Sequence, residues 1–185
     1  MVYAAFFRGL NVGKNRQVKM ADLQRLLTDC GFWNVQTLIQ SGNAMFETDA
    51  EEASLPGRIE PAFAQRFGFA SPAAVRSADA LGALLCAWPF SEAELAQAEA
   101  ADPDVEHTYV YLSNRPVDAK AAEELRQAAG GEDRLIAGER EVYLLCRQSV
   151  RLSKLAIALP KLDPTFTNRN LNTLWKMQAL IAARG

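Results

Sequence analysis

The sequence has few of the residues from which metal and catalytic sites are usually built. It contains one histidine, His107, and three widely spaced cysteines, Cys30, Cys86 and Cys146, in apolar surroundings. A zinc site needs several Cys or His ligands at short spacing, and a Ser-His-Asp triad needs a histidine paired with a nucleophile. The sequence therefore predicts no metal and no cofactor. The cysteines are expected to be reduced core residues of a cytoplasmic protein.

Long apolar runs and a strong charge imbalance are also missing. The first residues lack the basic start and long apolar stretch of a signal peptide, and no later run reaches membrane-spanning length, so no membrane partner is expected. The formal net charge of -2 argues against a surface that binds nucleic acid everywhere, although a local basic patch remains compatible with it. With 49% apolar and 23% charged residues the chain is expected to be soluble and folded. Its 185 residues allow one body or two small fused halves.

The hydrophobic pattern of residues 1–76 predicts strand, helix, strand, strand, helix, strand. The strands are residues 2–7, 35–39, 44–46 and 70–75, and the helices are residues 20–30 and 55–67. Residues 2–7 are continuously apolar, which predicts a central strand. Gly31 is expected to end the first helix in a left-handed conformation, and Gly42 is expected to turn a hairpin. Pro61 predicts a kink or restart in the second helix.

The same order of elements recurs in the second half of the chain. The strands are residues 105–112, 135–136, 142–146 and 165–167, and the helices are residues 118–129, 152–159 and 171–181. Between the halves, residues 77–88 are helical, and Ser91 and Glu94 have the spacing of a capping box. The predicted fold is α+β: two fused ferredoxin-like (βαββαβ) halves plus connecting and C-terminal helices. The predicted domains are residues 1–76, a helical connection at residues 77–104, and residues 105–185, in one rigid body.

An opening loop, residues 8–19, concentrates basic and amide side chains between the first strand and the first helix. Backbone N–H groups and cations at a helix N-terminus favour anions. The candidate ligand residues of this loop are Arg8, Asn11, Gly13, Lys14, Asn15, Arg16 and Lys19. The loop is not a Walker A motif, because three residues rather than four separate its glycines and Asn15 follows Lys14 where Ser or Thr is needed. The alternative is a solvated basic loop whose glycines and asparagines only shape turns.

Two further polar segments are candidates for the same site. Residues 40–43, which are Gln40, Ser41, Gly42 and Asn43, have the composition of a hairpin turn, which explains them without a ligand, but their amides and hydroxyl could also contact one. Residues 167–173 precede the last helix, and Thr167 or Asn168 is expected to be its N-cap. The segment also supplies Arg169, Asn170, Asn172 and Thr173 as candidate ligand residues. His107, beside Glu106, is expected to be a structural or surface residue.

These segments together resemble one bacterial family, domain-of-unknown-function family 1697. Its members read RG-I-NVGG-KN, K-M-x-x-L, QSGN, EVYL and R-N-W-N-T in this order, and the chain matches these motifs across nearly its full length. The chain has Leu10 in place of isoleucine, one glycine fewer after Val12, and Leu171 in place of tryptophan. The last difference removes a flat aromatic surface that could stack on a base. The resemblance implies a two-part α+β fold with ferredoxin-like repeats, and it implies no established activity.

The sequence therefore favours a protein that binds a phosphate-bearing ligand, either a nucleotide or a nucleic acid, through its basic Gly/Asn loop. One alternative is an enzyme acting on a small anionic substrate, for which the sequence identifies no nucleophile and base. Another is a structural or partner-binding module without a ligand. A ferredoxin-like fold is compatible with all three. The ligand, any reaction and the oligomeric state are not fixed by the sequence.

Overall fold

The computed structural model describes residues 1–13 and 16–184. Within these residues the strands are β1 (Val2–Phe7), β2 (Trp33–Leu38), β3 (Asn43–Glu47), β4 (Ala73–Ser77), β5 (Thr108–Leu112), β6 (Arg134–Ala137), β7 (Glu141–Leu145) and β8 (Thr167–Asn170). The helices are α1 (Met20–Asp29), α2 (Leu55–Phe67), α3 (Ala78–Cys86), α4 (Glu92–Ala101), α5 (Ala119–Ala129), α6 (Lys154–Ala158) and α7 (Leu171–Ala182). Short 3-10 turns precede α2, at Glu52–Ser54, and follow α6, at Leu159–Lys161.

The chain divides into two compact units. Unit 1 contains residues 1–86 and 174–185, and unit 2 contains residues 87–173. Each unit has a four-stranded antiparallel sheet, with the order β2-β3-β1-β4 in unit 1 and β6-β7-β5-β8 in unit 2. Two βαββαβ halves of the same strand order confirm the predicted α+β, ferredoxin-like fold. That the whole chain is one rigid body stays a prediction.

Unit 1 has its core between one face of the sheet and helices α1 and α2. Alternate residues of β1, namely Tyr3, Ala5 and Phe7, enter this core together with Phe46 of β3 and Phe63 of α2. Phe7 and Phe63 pack as a tilted ring pair with centroids 5.3 Å apart. Because β1 lies between β3 and β4, every one of its residues from Tyr3 to Phe7 is buried, which confirms the prediction of a central strand.

Unit 2 repeats this arrangement with different packing residues. Tyr111 of β5 and the alternate residues Val142 and Leu144 of β7 face Leu155 of α6 and Phe166 in one apolar cluster. Helix α5 is capped by Asp118, whose side chain accepts hydrogen bonds from two backbone N–H groups of the first turn. Helix α4 begins with the predicted capping box, in which Ser91 and Glu94 bond each other's backbone N–H.

Helix α2 continues through Pro61, so the restart that was one of the two predicted effects does not occur, and the kink stays a prediction. Pro61 removes one backbone donor, whose acceptor would be the carbonyl of Gly57. Both residues are exposed, so that carbonyl can be solvated. The opposite face of the helix is anchored by Leu55, Ile59 and Phe63, each fully buried. Tertiary packing therefore outweighs the local cost of the proline.

The end of the chain differs from prediction in where the strand stops and what caps the last helix. Thr167 and Asn168 were the expected N-caps, but both lie in β8, where Asn168 pairs with Tyr111. Strand β8 runs directly into α7, and the side chain of Asn170 accepts a hydrogen bond from the backbone N–H of Thr173 at 2.9 Å. Asn170 is therefore the N-cap, because it is the last extended residue before the helix.

Within the described parts of the chain, no helix is long and apolar enough to cross a membrane. The same residues contain no group of three or more His, Cys, Asp or Glu side chains placed to hold a metal ion. All three cysteines are free thiols.

Candidate functional site

The opening loop has an unusual alternation of backbone handedness. The φ angles of Gly9, Asn11 and Gly13 are +65°, +57° and +71°, whereas those of Leu10 and Val12 are negative. Loops in which the sign of φ alternates can turn successive N–H groups towards one side of the chain, and concave nests of N–H groups bind anions. Within the described residues, only Asn11 of these five donates its backbone N–H, to the carbonyl of Arg16 at 2.9 Å. The amides of Gly9, Leu10, Val12 and Gly13 meet no acceptor there.

The Asn11 side chain holds this loop closed. Its Nδ2 donates to the carbonyls of Val18 at 3.1 Å and Gln40 at 2.6 Å, and its Oδ1 accepts from the N–H of Val18 at 2.8 Å. Gln17 adds a bond from Nε2 to the carbonyl of Gly13 at 2.6 Å. The contribution of Asn11 is therefore to fix the shape of the loop, with its amide engaged inside the protein.

The hairpin turn at residues 40–43 lies directly against the opening loop. The N–H of Phe7 donates to the carbonyl of Gly42 at 2.8 Å, and a Cβ added at Gly42 would lie 2.7 Å from Cδ1 of Leu10. Asn43 is fully buried, and its Nδ2 donates to the Leu38 carbonyl at 3.1 Å and to Ser41 Oγ at 3.0 Å. Two of the three predicted segments, the opening loop and the hairpin turn, therefore lie next to each other. The side-chain hydrogen bonds of Asn43 stabilise the turn.

The cations of the loop differ in how far they are engaged. Arg16 is exposed, and its guanidinium carbon lies 5.5 Å from the centroid of the Phe69 ring, beside Gly9. Lys19 is exposed, and Arg8 is half-buried. Among residues 1–13 and 16–184, neither Arg8 nor Lys19 forms an ion pair or a side-chain hydrogen bond. The predicted ligand residues Lys14 and Asn15 lie outside the described residues.

An open cleft of about 460 Å³ continues from the loop along the start of α1. Its lining includes Lys19 together with Gln17, Asp22 and Phe67, which were not among the predicted ligand residues. The apolar spacing of α2 predicts Phe67 as a core residue, so the sequence does not show that Phe67 lines an open cleft. Lys19, the residue before α1, makes no side-chain cap to the helix, although its carbonyl accepts from the N–H groups of Asp22 at 3.0 Å and Leu23 at 3.1 Å.

Residues 167–173 belong to unit 2 and are largely engaged within it. Arg169 is 8% exposed, and its Nη1 donates to Thr167 Oγ1 at 3.1 Å and to the Asn168 carbonyl at 2.7 Å. Burial lowers the pKa of its guanidinium to about 10, so it stays charged at neutral pH. Thr173 is buried, and Asn172 is exposed.

The single histidine is structural in unit 2. His107 is buried, its Nδ1 lies 2.7 Å from the carbonyl of Cys146, and its Nε2 lies 2.9 Å from the carbonyl of Asp102. These contacts tie the start of β5 to the end of β7 and to the residue after α4.

The fold and the loop define a class: an α+β protein of two ferredoxin-like halves with an open basic loop after its first strand. The chain belongs to the family of proteins of unknown function DUF1697, whose model matches residues 1–143. It is similar to the solved structure of a conserved bacterial protein from Streptococcus pneumoniae, with 26% identity, a TM-score of 0.70, and coverage of 98% of both chains. No curated protein matches the chain.

Proposed function

We propose that the protein binds a phosphate-bearing ligand, with the phosphate held by the opening loop. The observation that carries this proposal is the alternation of φ at Gly9, Asn11 and Gly13, together with four loop amides that have no acceptor among the described residues. A phosphate group presents several acceptor oxygens and a negative charge to such N–H groups.

The cations of the loop add charge to this backbone site. Arg8 and Lys19 are without an ion-pair partner in the described chain, so their charges are available to an anion. Charge-assisted hydrogen bonds to phosphate are about twice as strong as neutral ones. Lys14 follows Gly13 directly, which makes it a third candidate cation.

The cleft beside the loop supports a ligand larger than free phosphate. Its volume of about 460 Å³ lies within the usual range of small-molecule sites. Asp22 lines this cleft, and its carboxylate disfavours a second anion beside it. A ligand with its phosphate at the loop and an uncharged, hydroxyl-bearing part in the cleft fits this division of charge.

Isothermal titration calorimetry tests the proposal with three probes: inorganic phosphate, adenosine monophosphate and a short single-stranded RNA. We expect at least one probe to bind the wild type, and Arg8→Gln/Lys19→Gln to weaken that binding at least tenfold, because each cation contributes one charge-assisted bond. The matched control, Lys120→Gln/Lys176→Gln, removes the same charge from exposed positions outside the loop and should bind as the wild type does.

The salt dependence of binding separates the two ligand classes. Nucleic acid that contacts several phosphates loses affinity steeply with salt, whereas a mononucleotide shows a shallow slope. Binding of none of the three probes, or an equal loss in the loop variant and the control, would overturn the proposed site.

A further inference from the structure

Residues 147–161 of unit 2 form a basic segment. The segment contains Arg147, Arg151, Lys154 and Lys161 and no acidic residue, in a chain whose formal net charge is -2. Arg147 is engaged, with its guanidinium donating to Gln97 Oε1 at 2.9 Å. The other three are exposed, and among the described residues none of them makes an ion pair or a side-chain hydrogen bond.

Two large aliphatic side chains of the same segment, which lie between Arg151 and Lys161 in the sequence, are exposed. Leu152 is 65% exposed and Ile157 is 66% exposed. Ser153 is the N-cap of α6, with its Oγ accepting from the N–H of Ala156 at 3.1 Å. Leu152 and Ile157 therefore occupy the positions before the cap and four residues after it, which a hydrophobic staple brings together. Both side chains remain open to solvent.

Exposed cations lie on both sides of this apolar pair in the sequence. Leu155 and Leu159 are buried, whereas Lys154 and Ile157 of α6 and Lys161 of the following 3-10 turn are exposed. Arg151 directly precedes Leu152. Lys154 also lines a cleft with Glu132 and Asp133 without pairing to either, so it is the cation with the most nearby negative charge.

We propose that this surface, residues 151–161, docks onto an anionic phospholipid bilayer. Exposed Leu and Ile side chains enter the boundary between headgroups and acyl chains, while neighbouring Lys and Arg side chains meet lipid phosphates. The segment contains no aromatic residue, so it lacks the stacking platform of a single-stranded nucleic-acid site. Peripheral binding of this kind needs no membrane-spanning helix.

The number of free cations sets the expected difference in affinity between anionic and neutral vesicles. Each Lys or Arg near an anionic membrane strengthens binding about fivefold, so the three free cations together account for about a hundredfold. Neutral vesicles should therefore bind about a hundredfold more weakly than anionic ones.

Co-sedimentation of the full chain with phosphatidylcholine vesicles, with and without phosphatidylglycerol, tests the proposal. We expect binding to the anionic vesicles, an approximately hundredfold loss in Arg151→Gln/Lys154→Gln/Lys161→Gln, and a clear loss in Leu152→Ser/Ile157→Ser. The matched control, Arg25→Gln/Lys120→Gln/Lys176→Gln, removes the same charge from exposed residues elsewhere and should retain binding.

Three outcomes would overturn the proposal. The first is that the folded wild type fails to sediment with anionic vesicles. The second is an equal loss in the control, which would indicate attraction by net charge alone. The third is that the serine variant binds vesicles unchanged and the segment instead binds a short RNA, which would make it a nucleic-acid surface. Circular dichroism of each variant shows whether it is folded. The charge-conserving variant Arg151→Lys/Lys154→Arg/Lys161→Arg should bind the anionic vesicles as the wild type does.

Discussion

Replacement of Asn11 tests whether the opening loop is locked as the structure indicates. Asn11 makes three side-chain hydrogen bonds, to the carbonyl and N–H of Val18 and to the carbonyl of Gln40. At about 1 kcal/mol each, their loss in Asn11→Gly should lower the free energy of unfolding by about 3 kcal/mol. Asn11→Ala should lose about 1 kcal/mol more, because its Cβ disfavours the φ of +57°. Such losses are a large share of the stability of a typical domain.

Urea denaturation followed by circular dichroism measures these differences. Asn34→Ala is a matched comparison: Asn34 also has a positive φ, of +51°, but its side chain makes one exposed hydrogen bond, to Glu47. Asn34→Ala should lower the free energy of unfolding by about half as much as Asn11→Ala does. The reasoning is refuted if Asn11→Ala unfolds within 1 kcal/mol of the wild type, or if the glycine variant is no more stable than the alanine variant.

Two further predictions concern buried groups of unit 2 and the thiols. His107→Ala should lower the free energy of unfolding by about 1–3 kcal/mol, because the ring N–H that donates to the carbonyl of Cys146 or Asp102 is lost together with the buried ring. Wild-type stability in His107→Phe would show that the bulk of the ring alone matters. In a disulfide-exchange assay at neutral pH, Cys86 should react first because it is exposed, whereas burial raises the pKa of the Cys146 thiol to about 12 and also raises that of Cys30. A fast phase that survives Cys86→Ser would contradict this order.

Most of the fold could be predicted because its elements follow simple hydrophobic periods. The continuous apolar run of β1 and the capping box of α4 each have a local cause that is visible in the sequence. Strand β8 was predicted at residues 165–167 but lies at Thr167–Asn170, because its residues are polar. The buried positions of this strand are Thr167 and Arg169, which only pairing with β5 explains. A strand whose inward residues are polar carries no hydrophobic period to find.

The candidate site was predictable in composition but not in geometry. The glycines and cations of residues 8–19 identified the loop, and the Gln-Ser-Gly-Asn sequence identified the turn. The left-handed φ of Asn11 depends on its bonds to Val18 and Gln40, which are 7 and 29 residues away. Local sequence could not distinguish an asparagine that binds a ligand from one that shapes the loop.

The two halves of the protein provide an internal comparison for the proposed site. In unit 2 the connection between β5 and α5 is only residues 113–118, and Asp118 Oδ1 accepts from the N–H groups of Lys120 and Ala121 at 2.9 and 3.0 Å. In unit 1 the equivalent connection is residues 8–19, and Lys19 provides no such cap to α1. The same topology therefore folds with a short loop and a carboxylate that satisfies the helix amides. Since the fold does not require a long basic loop, its length, charge and open amides in unit 1 call for another cause, and the phosphate ligand that we propose would be one.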